Sequence, residues 1–507
     1  MNASIQKRMI FMVLALLLPV VSVSCGGGGS TAGGGIGGTG VGPVTGFGSV
    51  IVNGVKYVDS GIDNTNFFDD HGRTKADLKV GMMVAIFGSI IGANGTADNI
   101  TVLRHVDGPM DDNGVDLATN RLKVMGQDVV VDASTVFDNG VTNLADLRTL
   151  QGANANHPEL EVHGSADNIG VIHATFIHKW ADNRVTGREV QVRGTVAGVP
   201  TATTFVIGRK TVDFSGVQGG LPTGVIAESF VEVKGPLRFL DNVLVATSVK
   251  LEDATGGQPS GSKAEVEGFV NRVVTPNASF EMIGPNGVQT VTWITGTTTF
   301  TGGTGSDIVA GVKIEVEGTR KTGGALAATK IEIRGANNIR MESTVTSVTA
   351  STLTIFGKTV RVNALTQYED SHDGDKLFSQ TGPHGVQVGD TLVVSAFLDN
   401  STVPASIVAT RVERIANIGT TGHILQGPVD SFLPGGPDLF ILGIDVLGAA
   451  VPVVFLNTDE TTMTQTQFFQ VLSDNQAAGK TTIVKARGTL SNPMQANEFK
   501  IEPTIDN

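Results

Sequence analysis

The chain has 507 residues, a formal net charge of −13 and one cysteine. Its acidic residues are dispersed along the chain, so its surface repels phosphate backbones and we expect no nucleic-acid partner. A single cysteine excludes disulfides within the chain and four-cysteine metal sites, while 65 glycines with abundant valine and threonine favour an all-β protein of several domains.

Residues 1–24 have the pattern of a secretory signal peptide. Lys7 and Arg8 precede a short apolar run, and a basic start followed by such a run is typical of exported proteins. The five residues that end at Cys25, Val-Ser-Val-Ser-Cys, resemble the cleavage box of bacterial lipoproteins, in which the cysteine receives lipid and becomes the first residue. We therefore predict that Cys25 is lipidated, with palmitate among its acyl chains, and that residues 25–42 form a glycine-rich tether.

Beyond the tether, the chain repeats a motif of two strands. Each copy has an alternating strand that ends in glycine, a short polar turn, and a second strand that opens with Ala-Thr or a near equivalent. The clearest copies are 231–235 with 246–249 and 314–318 with 328–331. The motif recurs about every 70 to 90 residues, which predicts a tandem array of about six domains. We call these predicted domains repeats 1 to 6, and their residues are 43–106, 107–180, 185–252, 263–334, 339–415 and 421–503.

Each repeat has the pattern of five strands. In repeat 1, Asn53-Gly54 joins two short apolar runs, which is a strong hairpin signal because both residues tolerate a positive φ. A long connection separates the third strand from the fourth, and this order predicts small OB-like β-barrels, with SH3-like barrels or small sandwiches as the alternatives. Alternation places Glu232 and Lys234 of repeat 3 in solvent. We expect Gly235 to supply a positive φ where the fourth strand turns toward the fifth.

The joints between the repeats are short and polar. Residues 256–262, Gly-Gly-Gln-Pro-Ser-Gly-Ser, have the composition of a flexible linker and are the expected hinge. Small barrels are only marginally stable alone, so we expect repeats that are adjacent in sequence to stack on each other.

Two acidic loops are the candidates for a metal site. Residues 111–116 and 369–375 gather carboxylates on tight loops, and calcium requires several oxygen ligands in one place. An ordinary solvated turn is the alternative for both loops.

Three histidines also fall close together in the sequence, at His163, His173 and His178, and His163 and His173 are expected to be cross-strand neighbours. No carboxylate or cysteine accompanies them at ligand spacing. The chain has no Gly-x-Ser-x-Gly and no His-Glu-x-x-His motif. We therefore assign no metal-binding, cofactor-binding or catalytic residues, and we predict that the protein is not an enzyme.

The opening of repeat 1 resembles a known family. Residues 46–54, Gly-Phe-Gly-Ser-Val-Ile-Val-Asn-Gly, together with Cys25 and the tether, resemble a bacterial lipoprotein family built from a repeated β-rich domain of unknown function. That family has no established activity, so the resemblance implies architecture and location but no chemistry. It implies a lipid-anchored protein of the bacterial cell envelope, and Gly26 after the lipidated cysteine implies the outer membrane.

The leading functional hypothesis is a lipid-anchored, non-enzymatic scaffold, spacer or adhesion-type binding array at the cell envelope. A ligand-binding lipoprotein that takes a metal or a glycan is the alternative, and an envelope hydrolase is the third hypothesis. The expected partners are the membrane, through the lipid on Cys25, and other envelope proteins or glycans.

Overall fold

In the computed structural model, the described residues lie mainly in strands joined by short turns. These residues are 36–236, 243–252, 259–433, 436, 438–449 and 452–504. The predicted signal peptide and Cys25 lie outside the described residues. In the part of the chain that is described, no helix is long and apolar enough to span a membrane.

Repeat 1 forms a closed ring of strands, and its first strand begins at Ile36, so the structured repeat includes residues that were expected in the tether. Its strands β1, β2 and β3 pair antiparallel in succession, β3 runs parallel to β6, and β6 pairs through β5 back to β1. The short β4 lies beside β6. The elements are β1 (Ile36–Gly46), β2 (Val50–Val52), β3 (Val55–Val58), β4 (Phe67–Phe68), β5 (Met83–Ile91) and β6 (Asn94–Val102), with a 3₁₀ turn at Lys75–Asp77 before β5.

Repeats 2 and 3 follow the same order of pairing. In repeat 3 the fifth strand is in two pieces, of which β17 pairs with β15 and β18 pairs with β16. The elements of repeat 2 are β7 (Val106–Asp116), β8 (Arg121–Val124), β9 (Gln127–Val130), β10 (Val136–Asp138), α1 (Leu144–Gln151), β11 (Glu159–Ala166) and β12 (Ile172–Ala181). Those of repeat 3 are β13 (Glu189–Ala197), β14 (Thr204–Ile207), β15 (Lys210–Asp213), β16 (Phe230–Pro236), β17 (Val243–Val245) and β18 (Ser248–Leu251).

In repeats 4 and 5, the third and fifth strands of the ring are again parallel. The elements of repeat 4 are β19 (Lys263–Thr275), β20 (Ser279–Gly284), β21 (Gly287–Thr292), β22 (Thr299–Thr301), a 3₁₀ turn (Gly305–Asp307), β23 (Lys313–Arg320) and β24 (Leu326–Arg334). Those of repeat 5 are β25 (Ile339–Val348), β26 (Thr352–Ile355), β27 (Lys358–Arg361), β28 (Gln367–Asp370), β29 (Thr391–Asp399) and β30 (Ser406–Ile415).

Repeat 6 places a helix in the long connection after its third strand. Its elements are β31 (Thr421–Phe432), β32 (Leu439–Ile441), β33 (Ile444–Gly448), β34 (Val454–Leu456), β35 (Thr462–Met463), α2 (Gln465–Ala477), β36 (Ile483–Thr489) and β37 (Met494–Glu502). Helix α2 begins at a capping box, in which the Thr464 hydroxyl accepts the N–H of Gln467. The prediction of an all-β fold with small closed five-stranded barrels is confirmed.

The repeated glycine and Ala-Thr motif forms a β-bulge between the fourth and fifth strands. Gly318 pairs with Ala328, and the register shifts at this point so that Thr329 is the extra residue of the fifth strand. The Thr329 hydroxyl donates to the carbonyl of Glu317 at 3.1 Å, which gives the carbonyl beside the bulge a partner. Equivalent glycine or alanine pairs lie at 88 and 97, 164 and 174, 396 and 409, and 488 and 496.

The expectation that Gly235 supplies a positive φ at a turn is wrong. Gly235 lies inside β16, and its φ is not among the positive values of the described residues. The reason for glycine is a close approach, since a Cβ at this position would collide with the carbonyl oxygen of Val245. At Gly318 the same Cβ would lie 2.5 Å from the carbonyl oxygen of Ala327.

The repeats associate in pairs through their first strands. β7 pairs antiparallel with β13, β25 pairs antiparallel with β31, and β1 pairs parallel with β19. The second half of each first strand pairs with the second strand of its own ring, which leaves one backbone edge of the first half available to another repeat. The expectation that sequence neighbours stack on each other therefore holds for repeats 2 and 3 and for repeats 5 and 6. Repeat 1 instead pairs with repeat 4.

The hydrophobic cores are shared between the paired repeats. One apolar cluster joins repeats 2 and 3, and another joins repeats 5 and 6. A third cluster fills repeat 4 and includes Val41, Met83 and Ala85 of repeat 1. All described residues fall within one compact unit that spans Ile36–Asn507.

The expected hinge at 256–262 lies partly outside the described residues. At its described end, Gly261 donates its N–H to the carbonyl of Arg320 at 2.8 Å, and Ser262 accepts from the N–H of Arg320 at 2.8 Å. These two residues are therefore fixed to β23.

Candidate functional site: an ionic junction between repeats

A network of buried charges lies where repeats 1, 2 and 3 meet, and we call it the ionic junction. Outward-facing residues of β11, β13 and β16 meet a loop of repeat 1 there. Its members are Asp69, Asp70, Arg73, Arg104, Asp107, Glu159, Glu161, His163, Arg188, Arg193, Glu232 and Lys234.

Arg104 is the centre of the junction. Its side chain is 1% exposed and pairs with Asp69 and, at 3.3 Å, with Glu161, both of which are fully buried. Arg73 reinforces the same two carboxylates, at 2.7 Å from Asp69 and 2.5 Å from Glu161. A loop of repeat 1 is thus fixed by charge to the outer face of a strand of repeat 2.

His163 and Glu161 extend the junction along β11. The Nε2 of His163 lies 2.6 Å from the Glu161 carboxylate, and its Nδ1 accepts the backbone N–H of Met83 at 3.1 Å. Since Nδ1 is an acceptor, Nε2 carries the proton of the neutral ring. Burial lowers the pKa of His163. Burial raises the pKa of Glu161, but the hydrogen bond from His163 and the charges of Arg104 and Arg73 outweigh it and hold that pKa well below its usual range.

Repeat 3 joins the junction through two arginines. Arg188 donates to Glu159 at 2.5 Å and to Asp107 at 2.6 Å. Arg193 donates from Nε and Nη2 to one oxygen of Glu232, at 2.8 and 2.6 Å. These pairs connect β13 and Arg188, the residue just before it, to strands β7, β11 and β16.

The expectation that Glu232 and Lys234 face solvent is therefore wrong. Glu232 is 8% exposed, and Lys234 donates to Asp70 of repeat 1 at 2.7 Å. Alternation correctly places both residues outside their own barrel. A neighbouring repeat covers that outer face, and the alternation of a single strand carries no information about this.

Trp180 lies at the edge of the junction between two guanidinium groups. Arg73 is 5.6 Å and Arg188 is 5.4 Å from the centre of its ring, and cations over an indole face are favourable. The imidazoles of His71 and His178 also lie against the ring, with centroids 4.7 and 4.6 Å away. These contacts stabilise the junction, since both arginines are already paired with carboxylates.

The outward strand faces of repeat 4 carry a second buried cluster, of mainly acidic residues. Glu315 is fully buried, and neither of its carboxyl oxygens has a hydrogen-bond partner among the described residues. Burial raises its pKa well above the usual value, and burial with the nearby Glu317 raises the pKa of Glu265 to about 8. Lys330 lies among these carboxylates and donates to Glu317 at 2.9 Å.

The acidic loop at 111–116 does not gather its oxygens. Asp111 accepts the N–H of Gly126 at 2.9 Å, Asp116 accepts from Ala118 and Thr119, and Asp112 lies 3.3 Å from His157. Each carboxylate thus has a separate partner, as in an ordinary structured turn.

The loop at 369–375 is held by arginines. Asp370 pairs with Arg414 and accepts the N–H groups of its own loop, from His372 at 3.0 Å, Asp373 at 3.2 Å and Asp375 at 3.1 Å. Glu369 pairs with Arg411. Two charges that a calcium ion would need are therefore already paired with protein cations.

The three histidines are also apart. His163 pairs across the strands with Phe176, while His173 pairs with Ser165, so the expectation that His163 and His173 are cross-strand neighbours is wrong. The register of β11 and β12 places His173 opposite Ser165, two residues along the strand from His163. Across the described residues, no group of three or more His, Cys, Asp or Glu side chains is placed to hold a metal ion.

Comparison with known protein families finds matches for three of the repeats. Three segments match the model of a family described as a domain of unknown function (DUF5666), at residues 107–178, 261–332 and 342–413. They correspond to repeats 2, 4 and 5, so the chain contains repeated domains similar to this family. No curated protein matches the chain.

Proposed function

We propose that the protein is a rigid, non-enzymatic scaffold of OB-like domains, held at the outer membrane of a bacterial cell envelope by lipid on Cys25. The observation that carries the proposal is the ionic junction. Its buried charges are paired between three repeats, so they fix the repeats relative to one another and are not poised around an open reaction centre.

Two features support the architectural part of the proposal. A five-stranded ring whose third and fifth strands are parallel, with a long connection before the fourth strand, is the pattern expected of an OB-like barrel. Pairing through first strands adds backbone hydrogen bonds between repeats. A scaffold needs this kind of fixed spacing, because a partner that touches two repeats at once gains from their preset separation.

The anchor is tested by metabolic labelling with a palmitate analogue in cells that make the protein. We expect label on the wild-type chain, which sediments with outer membranes, and no label on Cys25→Ala. An unlabelled wild-type chain would refute the lipoprotein assignment.

The scaffold role is tested by photo-crosslinking in intact cells from two exposed positions on different repeats, Val199 and Val403, which are 85% and 99% exposed. We expect discrete envelope proteins at both positions. The matched variant Arg104→Met, which loosens the junction of repeats 1, 2 and 3, should keep its lipid label but lose the crosslinks from Val199 of repeat 3. Equal crosslinking in that variant, or only diffuse background in the wild type, would count against a rigid scaffold.

A glycan-binding function is the second candidate, because of a polar groove beside α2. Two adjoining cavities of about 470 and 620 Å³ share Asn457 and Val471. Amide and hydroxyl groups such as those of Gln467, Gln470 and Thr482 line them, and these groups suit sugar hydroxyls. Calorimetry with a panel of envelope glycans, using Gln470→Ala as the variant, tests this candidate.

A further inference from the structure

Repeat 3 lacks a strand that the other five repeats have. In each of those repeats, a short strand runs parallel to the fifth strand and pairs with its outer edge; these short strands are β4, β10, β22, β28 and β34. In repeat 3, residues 214–229 connect β15 to β16 without a strand. Among the described residues, β18 pairs with β16 alone. The outer edge of β18 is therefore open.

Hydrogen bonds define which groups of β18 form this open edge. Glu252 donates its N–H to the carbonyl of Phe230 at 3.0 Å. Successive residues of a strand direct their backbone groups to alternate sides, so Val249 and Leu251 direct theirs away from β16. Within the described part of the chain, no backbone pairing satisfies these outward groups.

The equivalent backbone groups of other repeats are paired. Val249 is the third residue after the alanine of the repeated motif, as Ile100 is in repeat 1, and Ile100 donates its N–H to the carbonyl just before β4 at 3.0 Å. Leu251 is the fifth residue, as Arg414 is in repeat 5, and the carbonyl of Arg414 accepts the N–H just after β28 at 2.9 Å. An added strand would give β18 bonds of the same kind.

Each short strand places an aromatic ring opposite one inward-facing residue of the fifth strand. The five pairs are Phe67 with Ile100, Phe137 with Ile177, Phe300 with Ile331, Tyr368 with Val412, and Phe455 with Phe499. The fifth-strand residue of every pair is 0% exposed, whereas Val249, at the same position in repeat 3, is 8% exposed. An aromatic side chain at the missing position would complete the burial of Val249.

The next position along the missing strand favours an acidic residue. In repeat 2, Asp138 follows the aromatic residue and lies 2.7 Å from His178 of the fifth strand. Lys250 has the position of His178 in repeat 3, and its side chain is 65% exposed. Lys250 also lies 3.2 Å from Glu252, but an ion pair with an exposed lysine contributes little. Its ammonium can therefore contact a second carboxylate.

The connection in repeat 3 does not itself supply the missing strand. Its backbone bonds belong to local turns, such as the bond from the N–H of Gly220 to the carbonyl of Val217 at 2.9 Å. Gly219 and Gly220 both have a positive φ, which an extended strand does not have. Leu251, on the open edge, is 40% exposed. An edge of this kind can pair with another chain.

We propose that the open edge of β18 binds an extended segment of another protein. The segment adds a strand parallel to β18, with an aromatic residue opposite Val249 and an acidic residue beside Lys250. Main-chain bonds to a sheet edge, combined with side chains in pockets, are a recurring mode of peptide recognition. The proposal deepens the scaffold role, because it names a kind of partner, and it rests on that role only for the source of the segment.

The test uses the purified full chain and a fluorescent peptide with the sequence of residues 133–140, Ala-Ser-Thr-Val-Phe-Asp-Asn-Gly, which contains the short strand of repeat 2. Fluorescence anisotropy should give a Kd below about 1 mM. A peptide with serine in place of phenylalanine should bind at least about ten-fold more weakly. With benzoylphenylalanine at that place, irradiation should attach the peptide to repeat 3.

Variants of β18 test the two kinds of contact separately. Leu251→Pro removes an N–H from the open edge and none from the ladder with β16, so it should abolish binding while repeat 3 stays folded. Leu251→Ala keeps that N–H and is the matched control. Lys250→Glu should bind a peptide with lysine in place of aspartate more tightly than the original peptide. Lys321→Glu, at an exposed lysine of repeat 4, should keep the original preference.

Four results would each overturn the proposal: no binding up to about 1 mM peptide, equal binding of the serine peptide, attachment outside repeat 3, or an unchanged charge preference in Lys250→Glu. Full binding by a folded Leu251→Pro variant would overturn it as well. If that variant does not fold, the charge reversal at the exposed Lys250 decides the matter. None of these measurements depends on the lipid anchor or on the spacing of the repeats, so their failure would leave the scaffold proposal standing.

Discussion

His163 of repeat 2 accepts the backbone N–H of Met83 of repeat 1 at 3.1 Å, through a ring nitrogen that must be unprotonated. A neutral imidazole therefore links two repeats inside the ionic junction. This link is available only while the ring stays neutral, and burial favours the neutral form.

The first prediction follows from that link. Burial lowers the pKa of His163 in the folded chain, whereas the unfolded chain takes up the proton near pH 6.5. As the pH falls below about 6.5, the unfolded state is therefore favoured, and stability declines until the folded ring also protonates. When the pH is lowered from about 7.5 to about 5.5, the free energy of unfolding measured in urea should fall less for His163→Asn than for wild type. His372→Asn, at a half-exposed histidine, is the control and should behave as wild type.

The second prediction concerns Arg104. Arg104→Met leaves the buried carboxylates of Asp69 and Glu161 short of a cation, and removing one partner of a buried pair costs about 3–5 kcal/mol. We expect the free energy of unfolding in urea to fall by this amount, with early loss of amide protection in residues 69–73. Lys79→Met, which breaks a pair with Asp138 at a half-exposed lysine, should cost less than about 1 kcal/mol. A similar decrease in the free energy of unfolding for the two variants would show that the ionic junction stabilises the fold no more than an exposed ion pair does.

The third prediction concerns Glu265, whose pKa burial and Glu317 raise to about 8 from 4.5. Between these values the unfolded chain has lost the proton that the folded chain keeps, so stability falls as the pH rises from 4.5 to about 8. Glu265→Gln should remove up to one proton of this dependence, which is about a ten-fold change in the unfolding constant per pH unit. Glu281→Gln, whose partner Arg272 is exposed, is the control. Parallel pH profiles for wild type and Glu265→Gln would contradict the prediction.

The fourth prediction concerns Gly235, the glycine of the repeated motif in repeat 3. A side chain at Gly235 would collide with the carbonyl oxygen of Val245, so Gly235→Val should destabilise repeat 3 by about 1–3 kcal/mol. Gly61→Ala is the control, since a Cβ there has nothing within 4 Å. Hydrogen exchange should show the loss concentrated in β16 and in β13, its partner strand. Unchanged protection in both strands would mean that β16 accommodates the side chain.

The sequence predicted how strands pair within each repeat. The spacing from Gly318 to Ala328 marks a pair of strands, and Asn53-Gly54 does connect two paired strands. The detail of the motif was not visible, because a glycine required by a close carbonyl and a glycine required by a positive φ look the same in a sequence.

The same sequence patterns could not predict the contacts between repeats. Glu161, Glu232 and Glu315 occupy equivalent outward positions, and alternation assigns all of them to solvent. All three are nevertheless buried, and residues of repeat 1 pair with Glu161 and with Lys234 beside Glu232. One signal was present, since these outward positions carry an unusual mixture of acids, bases and histidine. Such side chains need opposite charges when buried, but the sequence does not say which repeat supplies them.

The pairing of first strands also bears on how such a chain can gain or lose repeats. In the described residues, β1, β7, β13, β19, β25 and β31 each place the free edge of the first half against another of the set. A chain with one repeat more or fewer would leave one such edge without a mate, and an unpaired strand edge invites pairing with another molecule. Duplication or deletion by whole pairs avoids this hazard. Within the described residues, pairing of the first strands thus protects these edges from association with other molecules.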